Sequence, residues 1–217
     1  MSGGARVPFV EFQGFLEAAL DMGIRLDDGI KELIDNSVDA GSRNIRITFE
    51  ACNHPEHGDG LRIIVQDDGR GIESEIEGPD GITRPGPSFV LSFGGGFSDQ
   101  TVIIDGKRRS IGKFGWGLSA TVACLARERG RAELWTKTDR DGEWSMVPWS
   151  YHDILEDDCT IPVPIPGGTP PVLDIFETGT VVLIETYENE RKRLKTLADK
   201  VSRESAQAYR HRIKKDG

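Results

Sequence analysis

Long apolar runs are absent from this sequence, and cysteine is scarce. No stretch of about 18 consecutive apolar residues occurs, so no membrane-spanning helix is expected. Residues 1–4 lack the basic segment and apolar core of a secretory signal, so none is expected. Cys52, Cys124 and Cys159 are odd in number and widely spaced, which indicates reduced thiols rather than a disulfide framework. We therefore expect a cytoplasmic protein.

Two common phosphate-binding signatures are missing or incomplete. A Walker A loop, GxxxxGK[ST], does not occur. The dinucleotide pattern is met nominally by Gly115, Gly117 and Ala120, with Asp139 further on. That pattern needs a strand immediately before its first glycine, and residues 106–114 intervene here. P-loop and Rossmann-type sites are therefore disfavoured, and no internal repeat is visible.

The composition is that of a soluble globular domain: 217 residues, 37% hydrophobic and 29% charged. The net charge of -9 is unevenly distributed. Residues 191–215 contain ten Lys/Arg and two acidic residues, a balance of +8, so the remainder has -17. An acidic body repels nucleic acid, whereas a basic segment can attract it. A solvated amphipathic helix is the simpler explanation of the basic segment.

Hydrophobic periodicity predicts a chain of alternating helices and strands. Helices are predicted at residues 26–40, 116–128 and about 189–214, and strands at 44–50, 61–67, 132–138, 143–149 and 180–185. A polar loop, residues 52–60, is expected to join the first two strands as an antiparallel hairpin. Residues 73–113 show no clear periodicity, and a loop of that length is usually functional or disordered. The proline-rich stretch 161–171 is predicted to be irregular.

The first helix has an unusual polar face. At about 100° per residue, Glu32, Asp35, Asn36 and Asp39 fall within roughly a 100° arc. Asp and Asn are poor helix formers, so several on one stripe are costly unless they face water or a ligand. Glu32 and Asn36, four residues apart, point at one spot, where a carboxylate can take a proton and an amide oxygen can bind Mg²⁺. An ordinary wet polar face is the alternative.

Two glycine-containing segments follow. In VQDDGRGI, residues 65–72, Asp67 ends a strand and can accept from an amino group such as that of adenine. A plain Asp-Gly turn is the alternative. In GKFGWGLSA, residues 112–120, glycines lead directly into a helix, where backbone N–H groups form an anion site that Lys113 can reinforce. A flexible surface loop explains residues 94–96 (GGG) well but this second cluster poorly.

Together these segments resemble the GHKL superfamily, which includes type II topoisomerase ATPase subunits, MutL-type repair proteins, ninety-kilodalton heat-shock chaperones, MORC ATPases and sensor histidine kinases. Residues 32–40 (ELIDNSVDA) resemble its N-box, and residues 65–72 resemble its adenine box. Residues 112–120 resemble its glycine-rich lid end, most closely the MORC-type or topoisomerase VI-type version. Thr178, Gly179 and Thr180 resemble its last box.

The resemblance implies a role for each matching position. Glu32 would be the general base that activates water, and Asn36 would ligate Mg²⁺. Asp67 would accept from the adenine amino group. The further ATP contacts implied are Asp39, Gly69, Gly71, Ile72, Gly112, Lys113, Phe114, Gly115, Trp116, Gly117 and Thr180, with Arg70 in the surrounding polar shell.

The implied fold is an α+β two-layer sandwich, the Bergerat ATP-binding fold, with a mixed, mostly antiparallel sheet and helices on one face. Residues 1–188 would form the ATP-binding domain, with a lid at about 73–115. Residues 189–217 would form a basic helix leading to a transducer domain beyond the chain. Many hydrolysing members complete their site with a lysine from that domain, so weak turnover is expected of this chain alone.

The implied function is Mg²⁺-ATP binding and hydrolysis that drives lid closure and nucleotide-gated dimerisation or clamp action. Partners would be ATP, a second copy or a partner protein, and nucleic acid through a further domain or the basic helix. One alternative is an ATP-binding signalling module without significant hydrolysis. Another is a histidine-kinase-like phosphotransferase, which is disfavoured because those N-boxes usually lack an equivalent of Glu32.

Two other features are given less weight. Cys52, His54 and His57 lie in one predicted loop and could bind a soft metal, but a fourth ligand is not evident. Trp135, Trp144 and Trp149 are expected to pack in the core or at an edge of the sheet.

Overall fold

In the computed structural model, the described residues are 17–18, 24–77, 81–92, 117–138, 142–156, 160–187, 199–201 and 203, with the backbone of 103–104 and 107–108. Within these residues no helix is both long enough and apolar enough to span a membrane. Cys52 and Cys124 are free thiols.

Four helices are described. They are α1 (Leu26–Asp39), α2 (Gly86–Leu91), α3 (Gly117–Ala126) and α4 (Tyr151–Glu156). The three-and-four spacing of Ile30, Leu33 and Ile34 turns one side of α1 inward, and all three side chains are buried. Helix α3 is apolar on all sides and is buried from Ser119 to Ala126, as expected of a helix enclosed by other elements.

Ten strands are described: β1 (Ile45–His54), β2 (Gly58–Asp67), β3 (Glu75–Glu77), β4 (Thr83–Pro85), β5 (Ile103–Ile104), β6 (Lys107–Arg108), β7 (Arg131–Lys137), β8 (Ser145–Ser150), β9 (Ile165–Pro166) and β10 (Gly179–Thr186). Six form the main sheet in the order β1-β2-β10-β7-β8-β9. Every pairing among the described strands is antiparallel. The last strand, β10, therefore lies between β2 and β7 at the centre of the sheet.

The main core lies between the sheet and helices α1 and α3. Alternate residues of the central strands face these helices, because side chains of a strand point in turn to opposite faces. The buried residues that build this layer include Ile30, Leu33, Leu61, Ile63, Val65, Val122, Leu125, Leu134, Val182 and Ile184. Lys200 of the short helical segment 199–201 forms an ion pair with Asp27 of α1, and Val201 joins the core.

The opposite face of the sheet has a second, smaller core. Ile64, Trp135, Trp144, Val181 and Leu183 pack together there, with Val172 against them. Arg46 of β1 donates to the carbonyl oxygens of Leu173 and Asp174 at 2.9 and 3.0 Å. The irregular segment around residues 172–174 is thereby fastened across this face.

The predicted α+β class with helices on one face of a mostly antiparallel sheet is confirmed. The predicted helix 26–40 and the five predicted strands all occur. The expected loop at 52–60 is wrong, because β1 and β2 stay paired as far as His54 and Gly58, leaving only residues 55–57 as the turn. Helices α2 and α4, the short hairpins β3–β4 and β5–β6 and strand β9 were not predicted. The expectation that residues 161–171 are irregular is wrong for residues 165–166, because β9 pairs with β8 at the edge of the sheet, where a proline is tolerated. The predicted helix 189–214 falls mostly outside the described residues.

Candidate functional site

Asp67, the last residue of β2, lies in a closely fitted polar cradle. Its side chain is buried, and hydroxyl and backbone donors surround its oxygens. Ser37 of α1 donates to Oδ2 at 3.0 Å, and Ser42 donates to Oδ1 at 3.1 Å. The backbone N–H of Gly69 also donates to Oδ1, at 2.9 Å. The carboxylate is thus held in one orientation by Ser37 within α1, by Ser42 after α1 and by Gly69 after β2.

Burial raises the pKa of Asp67, because a charged carboxylate is poorly solvated there. Donors from Gly69, Ser37, Ser42 and the backbone of Thr180 lower the pKa, but by less than burial raises it. Each donor is a neutral hydroxyl or amide. The site therefore contains a buried carboxylate whose charge is only partly compensated, which is a common property of ligand-binding positions.

The neighbouring Asp68 is in a different situation. It accepts from the backbone N–H groups of Arg43 and Asn44 at 2.7 and 2.8 Å and from the Asn44 amide at 2.7 Å. Although partial burial raises its pKa, these bonds outweigh burial and lower the pKa overall. Asp68 therefore fastens the loop after α1 to the end of β2.

The segment after Asp67 turns sharply and docks on the end of β7. Gly71 has a φ of +72°, and a side chain there would collide with the backbone carbonyl of Lys137. The Ile72 N–H donates to Thr136 Oγ1 at 2.8 Å, and that hydroxyl donates to the Gly179 carbonyl at 3.2 Å. Thr136, which is buried, therefore ties the turn to β10 as well as to β7.

Thr180 lies directly opposite Asp67 in the register between β10 and β2. Thr180 is half-buried. Gly179 before it has a φ of +123°, and an added Cβ would collide with the Asp67 carbonyl oxygen. Only glycine allows this close approach of the two strand ends.

A second group of polar residues lies along α1. Glu32 and Asn36 are exposed and one turn apart. Residue Gly117, where α3 begins, faces Glu32, and a Cβ there would be 3.2 Å from the Glu32 carboxylate. The surrounding protein and the charge of Asp35 raise the pKa of Glu32, with desolvation the larger cause.

The structure thus brings several of the predicted residues together. Asp67 is tied to α1 through Ser37, and Gly117 at the start of α3 lies beside the Glu32 carboxylate. Gly69 is buried against Ser42 and Ala40. Asp39, Gly71, Ile72 and Thr180 are half-buried around the ends of α1, β2 and β10, while Arg70 is exposed. Gly112, Lys113, Phe114, Gly115 and Trp116 lie outside the described residues, so their predicted contact with phosphates stays a prediction.

Three hydroxyl-bearing residues of this site were not singled out from the sequence. Ser37 and Ser42 hold the Asp67 carboxylate, and Thr136 holds the turn at residues 71–72. Ser37 falls within the segment that resembles the N-box, and its position next to Asn36 was the available signal. No comparable signal marks Thr136, because its role depends on the register of β7 against β10.

A family model described as histidine kinase-, DNA gyrase B- and HSP90-like ATPase matches residues 23–148. The match covers α1, β2, α3 and β7, and more than half of the chain. The chain therefore belongs to this ATPase family, and the resemblance drawn from its motifs is confirmed.

The chain is similar in sequence to a DNA mismatch repair protein and in structure to type II topoisomerase ATPase regions. Over 64 residues the chain is 44% identical to the DNA mismatch repair protein MutL of Carboxydothermus hydrogenoformans, an alignment covering 30% of this chain and 10% of that protein. The ATPase region of Saccharomyces cerevisiae topoisomerase II bound to ICRF-187 is 18% identical, with a TM-score of 0.45, and the match covers 75% of this chain and 38% of that one. The DNA gyrase B-subunit of Myxococcus xanthus is 13% identical, with a TM-score of 0.38 and coverage of 81% and 44%.

Proposed function

We propose that this chain binds Mg²⁺-ATP with its adenine end at Asp67 and hydrolyses it with Glu32 as general base. The observation on which the proposal rests is that α1 supplies both ends of the site. Ser37 holds Asp67, while Glu32 and Asn36 face outward on the same helix beside the start of α3. A single rigid element therefore fixes the distance between the base-recognising and hydrolytic groups.

The adenine end is supported by the chemistry of Asp67. An adenine amino group donates hydrogen bonds, and a carboxylate with only neutral donors around it is a strong acceptor for one more. The tight turn at Gly71, docked against the Lys137 carbonyl, fixes the backbone that follows this carboxylate.

The phosphate end is supported by oxygen donors of the kind Mg²⁺ prefers. Asn36 would hold the ion through its amide oxygen, and both it and Glu32 are solvent-accessible, as a partly hydrated Mg²⁺ site requires. When bound, the ion neutralises the charge that builds up on the phosphates. The start of α3 at Gly117 supplies backbone N–H groups beside Glu32, where an anion is favoured.

Glu32 is suited to take a proton from water. Burial raises the pKa of Glu32, with a smaller contribution from Asp35, and this makes its carboxylate a stronger base than an ordinary glutamate. In this mechanism Glu32 orients the attacking water in line with the terminal phosphate and accepts its proton. Closure of the predicted lid, residues 73–115, would then create a surface for dimerisation, with hydrolysis reversing the change.

Glu32→Ala tests the hydrolytic role. Loss of a general base lowers turnover by about 10²- to 10⁴-fold. ATP affinity, measured by calorimetry with and without Mg²⁺, should change little. Asp28→Ala is the matched control, since Asp28 is an exposed carboxylate one turn earlier on α1 that pairs with Lys31 at 3.3 Å. Turnover in Asp28→Ala should equal that of the unaltered chain.

The outcomes separate the candidate functions. Unchanged turnover in Glu32→Ala would refute its role as the base. Tight Mg²⁺-dependent ATP binding without turnover in the unaltered chain would leave a nucleotide-binding signalling module. If well-folded protein takes up no adenine nucleotide, the whole proposal fails.

A further inference from the structure

A compact group of metal-ligating side chains lies at the tip of the β1–β2 hairpin. His54 is the last residue of β1, and Glu56 and His57 lie in the turn. One ligand atom from each of the three lies within 4.8 Å of the other two. A zinc ion with bonds of 2.0–2.2 Å places its ligand atoms roughly 3.3 Å apart, so side-chain adjustments of about 1 Å bring the three atoms onto one ion.

The rings of His54 and His57 are held by contacts with each other and with Tyr187. Their rings are stacked with centroids 4.6 Å apart. The ring of Tyr187, which follows β10, lies 5.4 Å from His54 and 5.5 Å from His57. The Tyr187 hydroxyl donates to the buried carboxylate of Glu185 at 2.6 Å, which fixes that ring. Side chains held in this way lose less conformational entropy when they bind an ion.

The hairpin below the cluster is also well ordered. β1 and β2 pair without interruption along ten residues each, ending with His54 opposite Gly58. Just before the turn, the Asn53 amide donates to Asp59 at 3.0 Å across the strands. The turn is therefore held at a fixed length, which keeps His54 and His57 on the same side.

The donor set defines the class of ion. Two imidazoles and one carboxylate suit Zn²⁺ and similar transition metals, whereas Mg²⁺ prefers oxygen ligands alone. His54 Nδ1 now accepts the Glu56 backbone N–H at 3.2 Å. Such a ring has its proton on Nε2, so metal binding either replaces this hydrogen bond at Nδ1 or shifts the proton and uses Nε2.

We infer that His54, Glu56 and His57 form a zinc site with three protein ligands and a fourth position occupied by water. The ligand set differs from the one weighed from the sequence, because Glu56 replaces Cys52. Cys52 is not part of the cluster. The site is also separate from the proposed nucleotide site: Gly58 and Asp67 are at opposite ends of β2, roughly 30 Å apart at about 3.3 Å per residue.

Zinc binding to the tag-free chain, measured without nucleotide and in excess Mg²⁺ by competition with a chromophoric chelator, tests the inference. One Zn²⁺ per chain is expected, and it should raise the thermal unfolding midpoint because it binds the folded state. His57→Ala and Glu56→Ala should each weaken binding at least about tenfold, since even outer-shell changes at metal sites cost 10- to 100-fold. X-ray absorption should show nitrogen and oxygen ligands without sulfur.

Two controls make the result specific. His152→Ala removes an exposed histidine of α4 and should leave zinc affinity unchanged. Cys52→Ser should also leave it unchanged. Absence of zinc uptake, uptake insensitive to His57→Ala, or an equal loss in Cys52→Ser would each overturn the assignment. Because Mg²⁺-ATP binding is measured separately, failure of this site would not affect the proposed ATPase, nor would failure of the ATPase affect the site.

Discussion

Replacing Asp67 with asparagine should separate nucleotide binding from stability. In the proposed complex the adenine amino group donates to the Asp67 carboxylate. A hydrogen bond to a charged group contributes about 1.5–3 kcal/mol, so its loss should weaken ATP binding roughly 10- to 150-fold. An amide has only one acceptor oxygen, and in Asp67→Asn that oxygen is needed by the Gly69 N–H and the Ser42 hydroxyl.

The fold should tolerate the same change. The new amide nitrogen, in the place of Oδ2, can donate to Ser37 Oγ. The Ser37 hydroxyl can then donate to the Leu33 carbonyl, which already lies 3.0 Å from it. Ser37, Ser42 and Gly69 would thus keep their partners, so no large loss of stability is expected.

The pH dependence of stability gives a second readout. The folded pKa of Asp67 lies above its ordinary value of 3.8, so the folded state holds this proton more tightly than the unfolded chain does. Its contribution to stability is therefore full below pH 3.8 and is lost as the pH rises through the folded pKa. At neutral pH the raised pKa of Asp67 therefore opposes folding, and Asp67→Asn should be at least as stable as the unaltered chain.

Calorimetric titration with Mg²⁺-ATP and urea unfolding at acidic and neutral pH would check both parts. The matched control is Asp68→Asn, which should lower stability, because Asp68 accepts three bonds from Arg43 and Asn44. Its folded fraction should bind ATP normally. Unchanged ATP affinity in Asp67→Asn would refute the adenine role, and a collapse in its stability would refute the hydrogen-bond exchange with Ser37.

Two further changes test the remaining architecture. Glu185→Gln should destabilise the fold by about 1–3 kcal/mol in chemical unfolding, because it removes the charged partner of Arg62 and Arg131 at 2.7 and 2.8 Å, and these two arginines are partly screened by solvent. Burial alone would raise the pKa of Glu185, but its hydrogen bonds to Tyr187, Arg62 and Arg131 outweigh burial and lower the pKa. The stability that Glu185 contributes is therefore present above pH 4.5 and is lost as the pH falls through its folded pKa. A stability difference between Glu185→Gln and the unaltered chain that does not change with pH would contradict this. Gly179→Ala should lower both thermal stability and ATP affinity, since its Cβ collides with the Asp67 carbonyl; unchanged values for both would show that the two strand ends can separate freely.

The sequence predicted the elements whose signal is local. Helix α1 has its apolar residues at helical spacing, and β2 and β10 are short apolar strands bounded by glycine or aspartate. Helix α2, GPSFVL, has no such signal, and tertiary contacts stabilise it. The Gly86 N–H donates to the Ser74 carbonyl at 2.9 Å, and Leu91 is buried. A helix of six residues is too short to be stable without such contacts.

In the β1–β2 hairpin, the sequence predicts a loop where the structure has strands. Residues 52–60 are polar and contain two glycines, so sequence reasoning predicts a loop. In the structure, backbone pairing continues to His54 and Gly58 and leaves only residues 55–57 as the turn, and Gly60 lets Tyr187 pack closely against β2. The same pairing brings His54 and His57 together, so the metal cluster depended on a register that composition alone does not reveal.

Two buried carboxylates on paired strands show how function and structure can be distinguished here. Asp67 and Glu185 are 4% and 2% exposed and lie toward opposite ends of the β2–β10 pair. Glu185 is neutralised by Arg62 and Arg131, and its pKa is lowered. Asp67 has only neutral donors, and its pKa is raised. A buried charge without a charged partner costs stability and persists only where another constraint requires it. That constraint is, on our proposal, a donor on the ligand.

Asp67→Asn and Glu185→Gln should therefore have opposite effects. Asp67→Asn should impair ATP binding while sparing the fold. Glu185→Gln should impair the fold while sparing ATP binding by the molecules that remain folded.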